Sequence, residues 1–317
     1  MSMKEIGYES CRLCPHQCGI DRTAGEQGVC TEGSMMRIAW MGLHLGEEPP
    51  LIGSHGSGTI FFAGCPLHCA FCQNCQISAR HAPTGVPVTV SEFSQLLCEL
   101  QDFGAANINL VTGTHFIPSI IEGVAGAREL GCTLPVVWNS SGFESVQALE
   151  LIDPCIDTYL VDLKTFDRAV ASRFCGSARY VDEIESVMQF LFHRHPRTVL
   201  SDDKVTGTIV RHLVFPGTFE ATEEVLRWFA LYGKESALLS LMVQFVPPAG
   251  GEDLPAIDAH SYDRLIDLLD TLEIEEGFIQ ELGDNLPWIP DFTRNNPFPE
   301  HFARPLPGFI ELRDRST

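Results

Sequence analysis

The sequence predicts an α/β fold: a partial (β/α)6 barrel of TIM type, with an N-terminal Cys-rich metal-binding segment before it and an irregular C-terminal extension after it. Three observations carry that reading. Short apolar runs alternate with amphipathic stretches between about residues 57 and 250, cysteines gather near the start, and Pro, Asn, Asp and aromatic residues crowd the end.

The alternation is the signature of strands each followed by a helix. Candidate strands are GTIFFAG (58–64), NINLVT (107–112), LPVVWN (134–139), DTYLVDL (157–163), GTIVRHLVF (207–215) and LSLMVQFV (239–246). Helical patterns cover 91–103, 118–130, 144–152, 181–194, 221–232 and 260–272. Ser91 and Glu144 stand near helix starts, and Gly104 and Gly131 follow helix ends as C-terminal caps do. Six such pairs are too few to close an eightfold barrel, and catalytic groups belong at the C-terminal ends of the strands. The chain then divides into residues 1–35, a Cys-rich segment with too little apolar content to fold without metal, the barrel at 36–276, and the extension 277–317, which wraps the barrel or covers its mouth.

Composition narrows the function classes. A formal charge of -21 argues against nucleic-acid binding, which needs clustered Lys and Arg, and favours a protein or small-molecule substrate. No apolar run reaches the length of a membrane span, and the opening MSMKEIGYES lacks the basic and apolar regions of a signal peptide. Twelve cysteines in such a chain read as metal ligands in a reducing, cytoplasmic compartment, not as a disulfide framework.

The chemistry-bearing string is GCPLHCAFCQNCQ, placed directly after the first candidate strand. Cys65, Cys69 and Cys72 bend one loop around the face of a cube, offering three thiolates to a [4Fe-4S] cluster and leaving one iron free to bind a cofactor. Cys75 is read as a non-ligand; as a fourth ligand it would close the cluster. A second group, Cys11, Cys14, Cys18 and Cys30, suits zinc or a second Fe–S cluster. Cys98, Cys132, Cys155 and Cys175 read as small buried side chains.

With Phe71 before the third cysteine, the loop resembles the signature of the radical S-adenosylmethionine (SAM) superfamily. The stretches CRLCPHQCGIDR, NINLVTGTH, DTYLVDLK and IVRHLVFPG are similar to its pyruvate formate-lyase activating enzyme-like branch. The resemblance implies that SAM chelates the open iron and that an electron, from a reductant such as flavodoxin or ferredoxin, cleaves it. The resulting 5′-deoxyadenosyl radical then abstracts hydrogen from a substrate, for an activase a glycyl-radical enzyme.

Family members commonly carry a Gly-Gly-Glu-type segment at the second strand end; here Thr112, Gly113, Thr114 and His115 stand there, without the glutamate. Asn139 and Ser140 end the third strand, with the reach for a ribose or carboxylate or the composition of a turn. Asp162 and Lys164 lie on one face of the fourth and resemble the Asp-x-Lys element of activases, or form a structural ion pair. Of Arg211 and His212 only one can face the cavity, and Arg211 would pair with a carboxylate of SAM or substrate or form a barrel-rim salt bridge. Two other readings remain: radical modification of a small molecule or another protein, and a closed-cluster electron carrier or metal-binding interaction module.

Overall fold

The computed structural model describes residues 3–79, 85–201, 204–246, 257–282 and 289–316. After a short helix α1 (Met3–Ile6), strand β1 (Met36–His44) leads through α2 (Pro49–Ile52) to β2 (Ser57–Phe62), and the cysteine loop follows, ending in α3 (Cys75–Ser78). Then come β3 (Val86–Val88), α4 (Val90–Asp102), β4 (Ile108–Val111), α5 (Ile117–Glu129), β5 (Val136–Ser140), α6 (Val146–Ile152) and β6 (Thr158–Asp162). The second half holds α7 (Arg168–Phe174), α8 (Tyr180–Arg194), β7 (Val199–Ser201), β8 (Lys204–Leu213), α9 (Phe219–Tyr232), β9 (Ala237–Met242), α10 (Ala259–Thr271), β10 (Gly277–Ile279), β11 (Ala303–Pro305) and α11 (Pro307–Ser316).

One open sheet runs β10-β9-β8-β6-β5-β4-β2-β1-β11, parallel from β10 to β2 and antiparallel where β1 and β11 join. The six strands expected from the sequence are β2, β4, β5, β6, β8 and β9. The sheet is longer than that pattern at both edges. Gly277, Phe278 and Ile279 pair with Leu239, Ser240 and Leu241, a run too short to show periodicity, and Ala303–Pro305 pairs with β1. The extension thus supplies both sheet edges, and it also brings Phe298 and Phe302 against Trp40, Phe61 and His44. Its residues 283–288 lie outside the described residues.

Local chemistry sets the helix starts, and two differ from the expected ones. Thr89, not Ser91, caps α4: its hydroxyl accepts from the Glu92 amide while Glu92 returns a bond to the Thr89 amide, a capping box. Ser145 caps α6, because the Glu144 carboxylate is taken up by Thr114 and Ser140 instead. Helix α7 was not visible in the apolar pattern; Asp167 starts it by accepting from the amides of Ala169 and Val170. Gly104 and Gly131 do adopt the left-handed conformation just past α4 and α5.

Alternation along the strands sorts the faces. Outward residues such as Leu110, Trp138, Tyr159 and Val210 pack under the helices in the main core. Inward, Leu51 of α2 meets Val137, Leu160, Val205, Ile209 and Leu238, and Asn107 at the foot of β4 donates to the Leu51 carbonyl, so α2 plugs the N-terminal end of the barrel. Above that plug the lining turns polar. Among the described residues no helix is long and apolar enough to cross a membrane.

Candidate functional site

The cysteine loop leaves the C-terminal end of β2 and is held by close backbone packing. Gly64 takes φ +77°, and a Cβ there would stand 2.6 Å from Glu32 Cγ and 2.7 Å from the Cys30 carbonyl oxygen. Gly176, at φ +72°, presses equally closely on the carbonyls of Leu67 and His68. His68, itself at φ 53°, clamps the loop: Nδ1 lies 2.7 Å from the Ser78 carbonyl and Nε2 2.7 Å from that of Val29. The Ala70 amide donates to Phe174.

This wrapping leaves Cys65 buried and Cys69 and Cys72 half-buried on the one loop. Burial raises all three thiols, Cys65 to about 11; Cys65 also responds to the charge of Cys72, Cys69 to those of Cys65 and Cys72, and Cys72 to that of Cys75. Lys164 opposes the rise at every one of them. Its ammonium lies over the Phe71 ring at 5.3 Å, fixing that aromatic residue against the loop. Cys75 is exposed, whereas Cys175, read only as a buried side chain, is fully buried with its carbonyl oxygen 3.9 Å from Cys69 Sγ.

From Lys164 a polar chain crosses the barrel interior. Lys164 Nζ contacts Asp162 Oδ2 at 2.5 Å, Arg211 Nε contacts Asp162 Oδ1 at 2.6 Å, and Arg211 Nη2 donates to Asn139 Oδ1 at 2.9 Å. The two cations hold the Asp162 carboxyl down at about 2, although burial alone would raise it. Arg211 is therefore the residue of its pair that faces inward. His212 points out, with Nδ1 at the Leu163 carbonyl and Nε2 at Thr222 Oγ1.

Two glutamates complete the lining, and sequence reasoning missed both. Glu48 lies 3.8 Å from Arg211 and accepts from Ser240; Glu47 lies within reach of His44, Thr59 and Asn139. Burial raises the Glu48 carboxyl; at Glu47, His44 and Arg211 outweigh burial and lower it. The available signal was a Glu-Glu-Pro-Pro string after an alternating Arg37-Ile38-Ala39-Trp40 stretch.

Other expected contacts lie elsewhere. Thr114 and Ser140 both donate to the fully buried Glu144 carboxylate on the outer face, at 2.7 and 3.1 Å, and burial raises that carboxyl. His115 bonds through Nε2 to the Ala63 carbonyl at 2.7 Å, and burial together with nearby Arg22 lowers it to about 3. These three side chains are committed to structural partners: Thr114 and His115 sit in a single helical turn after β4, and Ser140 alternates with inward-facing Asn139 at the end of β5. Thr112 sits at φ 60°, a strained setting for a β-branched residue, with its amide bonded to the Asn139 carbonyl; Gly113 packs against Ile120 and Trp138.

The N-terminal cysteines also converge: Cys14 is raised by burial, and the charges of Cys30, Cys11 and Cys18 all act on it. Among the described residues no group of three or more His, Cys, Asp or Glu side chains is drawn to the spacing of a single bound ion. The donor set of the barrel site fits an anionic cluster and a charged cofactor nonetheless. Three thiols share one loop beside a buried ammonium, and within the barrel Glu48 Oε2 and Asn109 Oδ1 are buried acceptors with no hydrogen-bond partner among the described residues.

The family model of the radical SAM superfamily matches residues 59–229, more than half of the 317-residue chain. This chain belongs to that superfamily and is an enzyme of the radical SAM type. It is 28% identical over 272 residues to an uncharacterised protein of Methanocaldococcus jannaschii, a match covering 84% of this chain and 75% of that one. In fold it is similar to a radical SAM methyltransferase from Sphaerobacter thermophilus, with a TM-score of 0.52 at 14% identity over 73% of this chain and 68% of that one. Streptococcus suis SuiB, solved with its precursor peptide SuiA, gives a TM-score of 0.49 at 13% identity over 68% of this chain; the match spans 46% of SuiB, about half its length.

Proposed function

We propose that Cys65, Cys69 and Cys72 hold a [4Fe-4S] cluster with one iron left to SAM, and that the enzyme abstracts hydrogen from its substrate. The cluster and SAM, when bound, supply a one-electron cleavage that yields a 5′-deoxyadenosyl radical. The observation that carries this reading is the placement of the three thiols on a loop at a strand's C-terminal end, beside Lys164 and at the head of the polar interior.

The protein's own part is electrostatic and steric. Lys164 offsets thiolate charge, Asp162 holds Lys164 in place, and Arg211 ties Asp162 to Asn139 and Glu48. Asn139, Asp162, Lys164 and Arg211, with the backbone of Thr112 and Gly113, are the groups we assign to SAM or substrate. A glycyl-radical enzyme is the substrate we favour, on the similarity of the Asp-x-Lys element, with a small molecule or another protein as the alternative. A flavodoxin- or ferredoxin-type reductant and a cytoplasmic setting belong to the same reading, as do the segment borders at residues 35 and 276.

Anaerobic reconstitution with iron and sulfide, followed by dithionite and SAM, tests it. Formation of 5′-deoxyadenosine supports the assignment; none from a cluster-loaded sample refutes it.

A further inference from the structure

The N-terminal cysteines abut the catalytic loop. Val29, the neighbour of Cys30, accepts from His68, the neighbour of Cys69, at 2.7 Å. The Cys30 carbonyl rests on Gly64, next to Cys65, so closely that a Cβ would meet it at 2.7 Å. His16, between Cys14 and Cys18, reaches the Pro66 carbonyl at 2.8 Å through Nε2.

A buried cation ties the same two groups. Arg22 is 1% exposed; Nη1 lies 4.0 Å from Cys11 Sγ and donates to the His115 carbonyl at 2.5 Å, while Nε donates to the Glu32 carbonyl. His115 in turn bonds to the Ala63 carbonyl, two residues before Cys65. The centre has an outer and an inner side. Cys14 and Cys18 are part-exposed, whereas Cys11 and Cys30 are 7% and 6% exposed and face the loop.

We propose that Cys11, Cys14, Cys18 and Cys30 hold a second iron–sulfur cluster, closed by four thiolates, that relays electrons from a surface-bound donor to the cluster of the Cys65 loop. The four cysteines share one small lobe: the Cys11 backbone bonds to Gly19 and Ile20 beside Cys18, and a Cβ on Gly28, two residues before Cys30, would stand 3.1 Å from Cys18 Sγ. Its direct contact with the backbone of the Cys65 loop is the placement a relay needs. Arg22 supplies positive charge and an N–H directed at sulfur, which favour added negative charge on the cluster. The step is a one-electron transfer: a low-potential flavodoxin- or ferredoxin-type donor is oxidised, the relay is reduced and then reoxidised, and the inner cluster gains the electron. The inference rests on the radical function proposed above.

Metal analysis and electron paramagnetic resonance (EPR) of anaerobically prepared protein test it. About eight irons per chain are expected, four for each cube, falling to about four in a Cys14→Ser/Cys18→Ser variant. In that variant dithionite still brings up the signal of the inner cluster, and reduced flavodoxin no longer does. About four irons with one zinc in the wild type overturns the relay while leaving the proposed function standing, and so does a variant that flavodoxin reduces as it does the wild type. A wild-type protein that takes up no iron overturns both.

Discussion

The Lys164 ammonium lies 2.5 Å from Asp162 Oδ2, in a setting where the two side chains are 9% and 20% exposed. Arg211 shares the same carboxylate, so Asp162 bridges two inward-facing cations. Asp162→Asn should cost roughly 3–5 kcal/mol, the loss typical of stripping the partner from a buried charge. Urea unfolding of the apoprotein measures it. Adding Lys164→Met should recover part of the loss; strictly additive effects would show that the pair is not coupled.

Much of this frame was legible beforehand, and the misses share a cause. Strands such as 107–112 and 157–163 announce themselves because each pairs an apolar run with a helix. The spacing of Cys65, Cys69 and Cys72 by itself puts them on one loop, which the structure places at the end of β2. Which way a polar residue points at a strand end is decided by partners distant in sequence. Ser140 turns outward because Glu144 is there to receive it, and Asn139 turns inward to Arg211. Glu47 and Glu48 were missed because burial of a carboxylate is visible only when its cation, Arg211, is brought across the barrel. β10 and β11, three residues each, offer too few positions for any period to register.

Gly176→Ala should weaken the cysteine loop. The residue sits at φ +72°, and an added methyl would stand 2.6 Å from the Leu67 carbonyl oxygen. The backbone conformation alone costs about 1–3 kcal/mol in a non-glycine residue, and the overlap adds to it. Thermal melting should show the destabilisation, and iron uptake should fall with it. Unchanged melting and iron content would mean the loop does not depend on this contact.

Acid should destabilise the apoprotein in two stages. Burial lowers His212 to about 4 and His115 to about 3, against about 6.5 in an unfolded chain. The stability they contribute is complete above pH 6.5 and is lost as the pH falls towards those values, because the unfolded chain takes up protons first. For His212 the loss is on the order of 3 kcal/mol. Asp162, held at about 2, adds its own loss only below about pH 4. His212→Asn should flatten the dependence of urea unfolding between about pH 6.5 and 4.5; an unchanged slope would assign it to other groups.

Cys72→Ala and Cys75→Ala separate a ligand from its neighbour. Cys72 is enclosed against Ser78 at 3.3 Å, whereas Cys75 is exposed at the start of α3. Cys72→Ala should abolish 5′-deoxyadenosine formation, and Cys75→Ala should leave it within about twofold, a difference well below 1 kcal/mol. Loss of the inner cluster on replacing Cys75 would instead make it a fourth ligand.

The most direct measurement is the EPR spectrum of the dithionite-reduced protein before and after addition of SAM, taken on the Cys14→Ser/Cys18→Ser variant so that one cluster reports. A shift in the signal on adding SAM is expected, because the cofactor enters the coordination of the iron that carries no cysteine. A reduced cluster whose spectrum is indifferent to saturating SAM would contradict an open iron at Cys65, Cys69 and Cys72.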